Sequence, residues 1–311
     1  MPGYIFSSSR RDFLRLLSSL SGLIVAGPAL TATNTPLITR RIPSTDELLP
    51  AIGMGSWQTF DVSGDSRAVA TRVEILRTFF ARGGRLIDSS PMYGHSEEVI
   101  GQCLQQLDGV SKLFSATKVW VRGRWLGIRQ METSRKLWGV KQFDLMQVHN
   151  LVDWQVHMAT LKEWKQEGRI RYLGITTSHG RRHAELERIM LNESLDFVQF
   201  TYNILDREAE QRLLPIAAEK GIAVIINRPF QGGRLFEYVR TRSLPAWTKT
   251  FDCDNWAQFF LKFIISHPHV TCTIPATSQI THMQENMGAC YGKLPDADMR
   301  RKMSKYIKQV I

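Results

Sequence analysis

Cysteine is scarce in this chain of 311 residues: Cys103, Cys253, Cys272 and Cys290 are the only four, and none falls in a C-x-x-C pair. That spacing excludes a disulfide scaffold and a structural zinc site. Cys272 lies in a run patterned as a buried strand and reads as a small core residue. A Rossmann fingerprint is also missing, because no G-x-G-x-x-G follows a strand-like run. Long apolar stretches are absent as well. The best candidate, Leu16 to Leu30, is interrupted by serines, glycines and Pro28 and is short for a membrane span, so no stable span is expected in the mature protein.

Acidic residues are fewer than basic ones, 29 against 40, which gives a net charge of +11. A nucleic-acid interface would gather that charge on one face with aromatics between. Here it is spread along helical patterns, and nucleic acid is not an expected partner. The one dense patch is Arg300, Arg301, Lys302, Lys305 and Lys308. Met299, Met303, Tyr306, Ile307 and Val310 accompany it at helical spacing, so it reads as an amphipathic C-terminal helix with a solvated basic face.

Ser9-Arg10-Arg11-Asp12-Phe13-Leu14 precedes the weakly apolar run. A twin arginine in that setting resembles the signal read by the twin-arginine export system; the alternatives are an ordinary secretory signal or a disordered basic arm. Residues 1–32 are therefore read as an address. Cleavage is expected near Ala32, although no clean A-x-A site is present, and the destination is the periplasm or another exported compartment after folding in the cytoplasm.

Residues 33–311 read as one domain. The whole chain, with 43% hydrophobic and 22% charged residues, has the composition of a globular protein. Strand-like runs recur at Leu49–Trp57, Arg85–Ser90, Leu113–Val119, Asp144–His149, Ile170–Thr177, Phe197–Tyr202, Ile222–Pro229 and Val270–Thr277, each followed by a helical pattern. Eight such repeats predict an α/β fold, a closed (β/α)8 TIM barrel, rather than an open doubly wound sheet. In Ala68–Arg82 the residues Val69, Val73, Leu76, Phe79 and Phe80 make one stripe before the stop at Gly83-Gly84. Helices are also expected over Trp154–Glu167 and Glu208–Lys220. Arg41–Pro50, with Pro43-Ser-Thr-Asp46 at its centre, suits a hairpin closing the barrel floor. Gln231–Asn255 is a long aromatic loop of the kind that carries function.

Asp88 and Tyr93 in LIDSSPMYG, Lys118 in LFSATKVW and His149 in FDLMQVHN sit at the ends of three successive runs. In a parallel barrel those ends share one face, where active sites are built. Each alone is readily explained by packing or a structural ion pair, but their joint placement suits carbonyl chemistry.

At these residues the chain resembles the aldo-keto reductase superfamily, from Arg41 to about Tyr291. IGMGSW, LIDSSPMYGHSEEVIG, SATKVW, DLMQVHN, GRIRYLGITT, VQFTYNILDRE and TIPATSQITHMQENMGA carry the likeness. The resemblance implies reduction of an aldehyde or ketone with NADP, or alternatively NAD, bound without a Rossmann motif. It implies a catalytic tetrad of Asp88, Tyr93, Lys118 and His149. A phenol of pKa about 10 is a poor acid near neutrality, and the Lys118 ammonium beside Tyr93 is expected to lower it. Asp88 would hold Lys118, and His149 would orient the carbonyl oxygen.

For the cofactor, the resemblance points to Gly55, Ser56 and Trp57 beside the nicotinamide and ribose, with Gln199 on the carboxamide. Thr176 and Thr177 stand where a Ser-Asn pair is common. Asn227 and Arg228 replace the usual Tyr-Ser, which removes an aromatic plate. Arg228 is open to two readings, a pyrophosphate contact or a partner carboxylate. Ala276, Thr277 and Asn286 align with the adenosine end, and Ala276 and His282 replace the Lys and Arg that hold a 2′-phosphate. The competing expectation is a catalytically weak nicotinamide-binding sensor or accessory subunit on the same barrel. Trp57, Trp120, Trp125 and the Gln231–Asn255 loop are expected to wall a relatively open substrate pocket; the substrate itself is not readable.

Overall fold

Residues 36–107 and 112–311 are described by the structure, a computed structural model. The segment read as an export signal lies outside the described residues. The chain enters through a hairpin in which β1 (Thr39–Arg41) pairs antiparallel with β2 (Leu48–Pro50). Its turn passes through Asp46 at φ +61°. Ile42 and Leu49, both fully buried, cluster with Leu86, Phe114, Tyr172 and Phe197 inside the barrel, so the hairpin plugs the floor as its sequence suggested. Glu47 fastens it there, accepting hydrogen bonds from Arg85 and from the Tyr172 hydroxyl, each at 2.9 Å.

Eight parallel strands follow: β3 (Met54–Gly55), β4 (Leu86–Asp88), β5 (Phe114–Val119), β6 (Phe143–Val148), β7 (Ile170–Thr176), β8 (Phe197–Thr201), β9 (Ala223–Asn227) and β10 (Cys272–Thr273). Every expected run contributes one. The first and last are only two residues long, and backbone bonds beyond them close the barrel: Gly53 N–H to Thr273 O at 2.8 Å, Thr273 N–H to Ala51 O at 3.0 Å and Gly55 N–H to Pro275 O at 3.1 Å. Gly55 is needed at that seam, because a Cβ there would stand 2.9 Å from the Ile274 carbonyl oxygen.

Alternation along the strands sorts the lumen by height. Leu86, Phe114, Leu145, Tyr172 and Phe197 fill the lower end. Two residues further along the strands, or four for Lys118, Asp88, Lys118, Gln147 and Gln199 are buried and joined by hydrogen bonds at the upper end. The second core lies between barrel and helices, where Val73, Leu76 and Phe79 of α1 (Ser66–Ala81) pack. Asp65 caps that helix by accepting from the Ala68 N–H at 2.9 Å.

Three expectations are corrected by packing. Glu208–Lys220 is not one helix but a 3₁₀ turn, Glu208–Glu210, followed by a short helix, Leu213–Glu219. The Gln231–Asn255 stretch is not a bare loop, since it folds a helix over Arg234–Val239 and a 3₁₀ segment over Ala246–Phe251. The C-terminal helix spans Ala297–Val310 as expected, yet Arg300 does not join its solvated face. It turns inward to Glu210 at 3.0 Å and the Tyr202 hydroxyl at 2.6 Å, because Glu210 offers a half-buried carboxylate there. Among the described residues no helix is long and apolar enough to cross a membrane.

Candidate active site

At the C-terminal mouth of the barrel lies a cavity of ≈ 350 Å³. Asp88, Tyr93 and His149 line it. Lys118, with no exposed surface, donates to Asp88 Oδ2 at 2.5 Å and to the Ser89 carbonyl at 2.7 Å. Its Nζ stands 5.2 Å from the centroid of the Tyr93 ring. The Tyr93 and His149 rings meet edge to face at 5.7 Å. The four residues picked out at three strand ends are therefore neighbours in space.

Electrostatics sets their protonation. Burial alone would favour a neutral Lys118, but Asp88 and, after it, Tyr93 outweigh that and hold the amine above its ordinary value. Burial, reinforced by the Lys118 charge, pushes the His149 imidazole down to about 2, so the ring is neutral at working pH. Tyr93 departs from the expectation of a lowered pKa. Burial outweighs the attraction of Lys118, Asp88 adds to the effect of burial, and the phenol lies above its ordinary value.

The second carboxylate oxygen of Asp88 accepts from two amides, Gln147 Nε2 at 3.1 Å and Gln199 Nε2 at 3.0 Å. Gln199, which the resemblance put on the cofactor's carboxamide, borders the cavity and also holds Asp88. Gln147 was overlooked, although the period of two that carries His149 into the lumen carries Gln147 there as well. Asn227 likewise turns into the barrel, accepting from the Thr201 hydroxyl at 2.7 Å and donating to the Thr177 carbonyl at 2.9 Å. Thr176 Oγ1 accepts the Asn150 N–H at 3.0 Å and pins the turn that follows His149. Ser56 Oγ donates to the Asp88 carbonyl at 3.0 Å and lies 2.8 Å from Ser89 Oγ, which ties the first strand end to the second.

Gly55, Ser56, Trp57, Thr176, Thr177, Gln199, Asn227, Arg228 and Ala276 all border the cavity. Thr277, His282 and Asn286 do not border it; Thr277 and Asn286 are buried and His282 is exposed. Two features fit a dinucleotide. Among the described residues the Thr177 hydroxyl finds no hydrogen-bond partner, although it is buried at the cavity wall. Arg228 brings a guanidinium to a turn in which Gln231, Gly232 and Gly233 all have positive φ. The Gln231 and Gly233 N–H groups are spent on the Arg228 and Phe230 carbonyls, so the guanidinium is the anion-binding group there. Of the expected aromatic wall, Trp57 is present and Phe230 and Phe236 join it. Trp120 approaches His149 at 6.4 Å, whereas Trp125 packs on Arg129 at 4.6 Å and stays largely exposed. Trp247 packs against Phe259 and Tyr306 beneath the C-terminal helix, each at 6.0 Å.

The profile of the aldo/keto reductase family matches residues 51–307, which spans the barrel and every cavity residue. The chain belongs to the aldo/keto reductase family. Curated relatives carry the same family name. Aldo-keto reductase str7 of Strobilurus tenacellus is 25% identical over 313 residues, covering 85% of this chain and 90% of its own length. A probable aldo-keto reductase 1 of Glycine max is 24% identical over 272 residues, covering 73% and 77%. An aldo/keto reductase of Klebsiella pneumoniae solved with NADP and acetate superposes with a TM-score of 0.72 at 23% identity, over 88% of this chain and 96% of that one. The holo form of an aldo-keto reductase of Bacillus halodurans gives a TM-score of 0.70 at 20% identity, over 87% and 96%. At those identities the solved structures establish the common barrel. The family profile establishes the class, a nicotinamide-dependent oxidoreductase.

Proposed function

We propose that this aldo/keto reductase reduces an aldehyde or ketone with NADP as cofactor, using Tyr93 as the general acid. The observation that carries the reading is the cavity in which Asp88, Tyr93 and His149 meet above the buried Lys118–Asp88 pair. Bound nicotinamide would supply the hydride to the carbonyl carbon. As negative charge grows on the carbonyl oxygen, the neutral His149 ring offers it a hydrogen bond without a competing charge. Tyr93, a phenol protonated at neutral pH and held so by its burial, then releases its phenolic proton to that oxygen. The adjacent Lys118 ammonium stabilises the phenolate left behind, and Asp88 keeps that ammonium in place.

Arg228 suits the pyrophosphate, the Thr177 hydroxyl suits the carboxamide end, and Thr277 and Asn286 suit the adenosine. NADP is supported by the Klebsiella relative, which was solved with it. Ala276 and His282 supply no Lys or Arg for a 2′-phosphate, so NAD is the variant to test beside it. A second reading, a slow nicotinamide-binding accessory protein, draws on the commitment of the Gln199 and Asn227 amides to the barrel interior. Fluorescence titration with NADPH and NADH, followed by a panel of aldehydes, ketones and quinones, separates the two. Tyr93→Phe is expected to lose nearly all turnover while still binding cofactor; undiminished turnover would sink the assignment, and tight binding without turnover in the wild type would favour the accessory reading.

We also propose export through the twin-arginine route. Ser9-Arg10-Arg11-Asp12-Phe13-Leu14 ahead of a weakly apolar run supports it.

A further inference from the structure

Ser90 follows Asp88 by two residues and is fully buried. Its Oγ lies 2.8 Å from His149 Nδ1 and accepts the Met92 N–H at 3.2 Å. A hydroxyl has one hydrogen to give and two lone pairs to receive with. Met92 occupies one lone pair, and the direction of the bond to His149 remains to be decided. If Nδ1 carried the imidazole proton, Ser90 would accept twice, and its own hydrogen would be left inside the protein with no acceptor, since among the described residues Oγ has hydrogen-bond partners only in Met92 and His149. A buried donor without a partner is penalised enough to choose between two tautomers of similar energy. With the bond running from Ser90 to Nδ1, every group is satisfied.

We propose that Ser90 is a positioning residue that fixes His149 as the Nε2–H tautomer, leaving Nε2 as the donor aimed at the carbonyl oxygen. The inference rests on the reading of His149 as the group that orients that oxygen. It extends that reading by naming what prepares the ring. A neutral imidazole has one proton, so it can serve as a donor to substrate only if its other nitrogen is held as an acceptor. Ser90 does this from the strand end that also bears Asp88, so a single loop sets both the Lys118 anchor and the imidazole tautomer. The pattern D-S-S-P-M-Y-G thus carries more than Asp88 and Tyr93: its second serine has a separate task from its first, whose hydroxyl pairs with that of Ser56.

The test is nitrogen-15 NMR of histidine-labelled protein at neutral pH, with the His149 signals assigned by their loss in His149→Gln. Wild type is expected to show a protonated Nε2 and an unprotonated Nδ1. Ser90→Ala is expected to admit the Nδ1–H form and to lower kcat with a carbonyl substrate by roughly fivefold to tenfold, the worth of one hydrogen bond. NADPH affinity should stay unchanged, and Ser90→Thr, which keeps the hydroxyl, should restore both tautomer and rate. A protonated Nδ1 in the wild type, or an unaltered tautomer in Ser90→Ala, overturns the proposal. The spectra do not depend on turnover. If they come out as expected while His149→Gln keeps full activity, the reading of His149 fails and the Ser90 assignment stands.

Discussion

Replacing Asp88 by Asn keeps the shape of the side chain and removes the charge that Lys118 needs. Lys118 is 0% and Asp88 2% exposed, so no water can take over the interaction. An Asn at this position can keep an oxygen toward Nζ, but its amide nitrogen then faces the N–H groups of Gln147 and Gln199, donor against donor. Turned the other way, it sets that nitrogen against the ammonium. Breaking one partner of a buried ion pair costs about 3–5 kcal/mol, a large share of the roughly 5–15 kcal/mol that holds a domain together. With an m-value near the top of the range of about 1–3 kcal/mol/M, the urea midpoint at pH 7 should fall by roughly 1–2 M. Lys118→Met should cost a similar amount. The double variant, which strands no charge, should cost clearly less than the two together. The sign of the pH dependence supports pH 7 as the place to look. Because the folded pKa of Lys118 is raised, its contribution is complete below the unfolded value of about 10.4 and fades only as pH climbs through the higher folded value. Losses that simply add, or a cost below about 1 kcal/mol for each single change, would refute the account of a desolvated, mutually dependent pair.

Other consequences are as direct. His149 is neutral when folded and titrates near 6.5 when unfolded, so below that pH the unfolded chain binds the extra proton and stability falls with acidification. His149→Gln should flatten the fall between about pH 6 and pH 4 by up to about 1.4 kcal/mol per pH unit, read from urea midpoints across that window. Arg228→Ala should weaken NADPH binding by roughly tenfold, with the difference shrinking as salt is raised; equal affinity at low salt would return Arg228 to a purely structural part. Arg10→Lys together with Arg11→Lys should hold the chain in the cytoplasmic fraction, whereas unchanged export would assign the signal to another route.

Much of this was readable in order along the chain. The eight runs, the floor hairpin and the stripe of Val73, Leu76 and Phe79 are local patterns, and the backbone has few ways to satisfy them. The clustering of Asp88, Tyr93, Lys118 and His149 was readable for the same reason: parallel strands place equivalent ends together. Gln147 was readable and missed, being two residues from His149. Ser90 was not, because a serine beside a catalytic motif looks like any turn residue until its partner is seen.

The sequence by itself determined which residues face the lumen and at what height, because strand periodicity is a property of backbone geometry. Tertiary structure decided what those residues do there. Gln199 binds Asp88 from 111 residues away, Arg300 leaves the solvent for Glu210 and Tyr202, and Tyr93 is pushed up although an ammonium stands beside it. A hydrogen-bond partner and a desolvation penalty are set by every atom packed around a group. Most of those atoms arrive from strands and helices that local sequence does not describe.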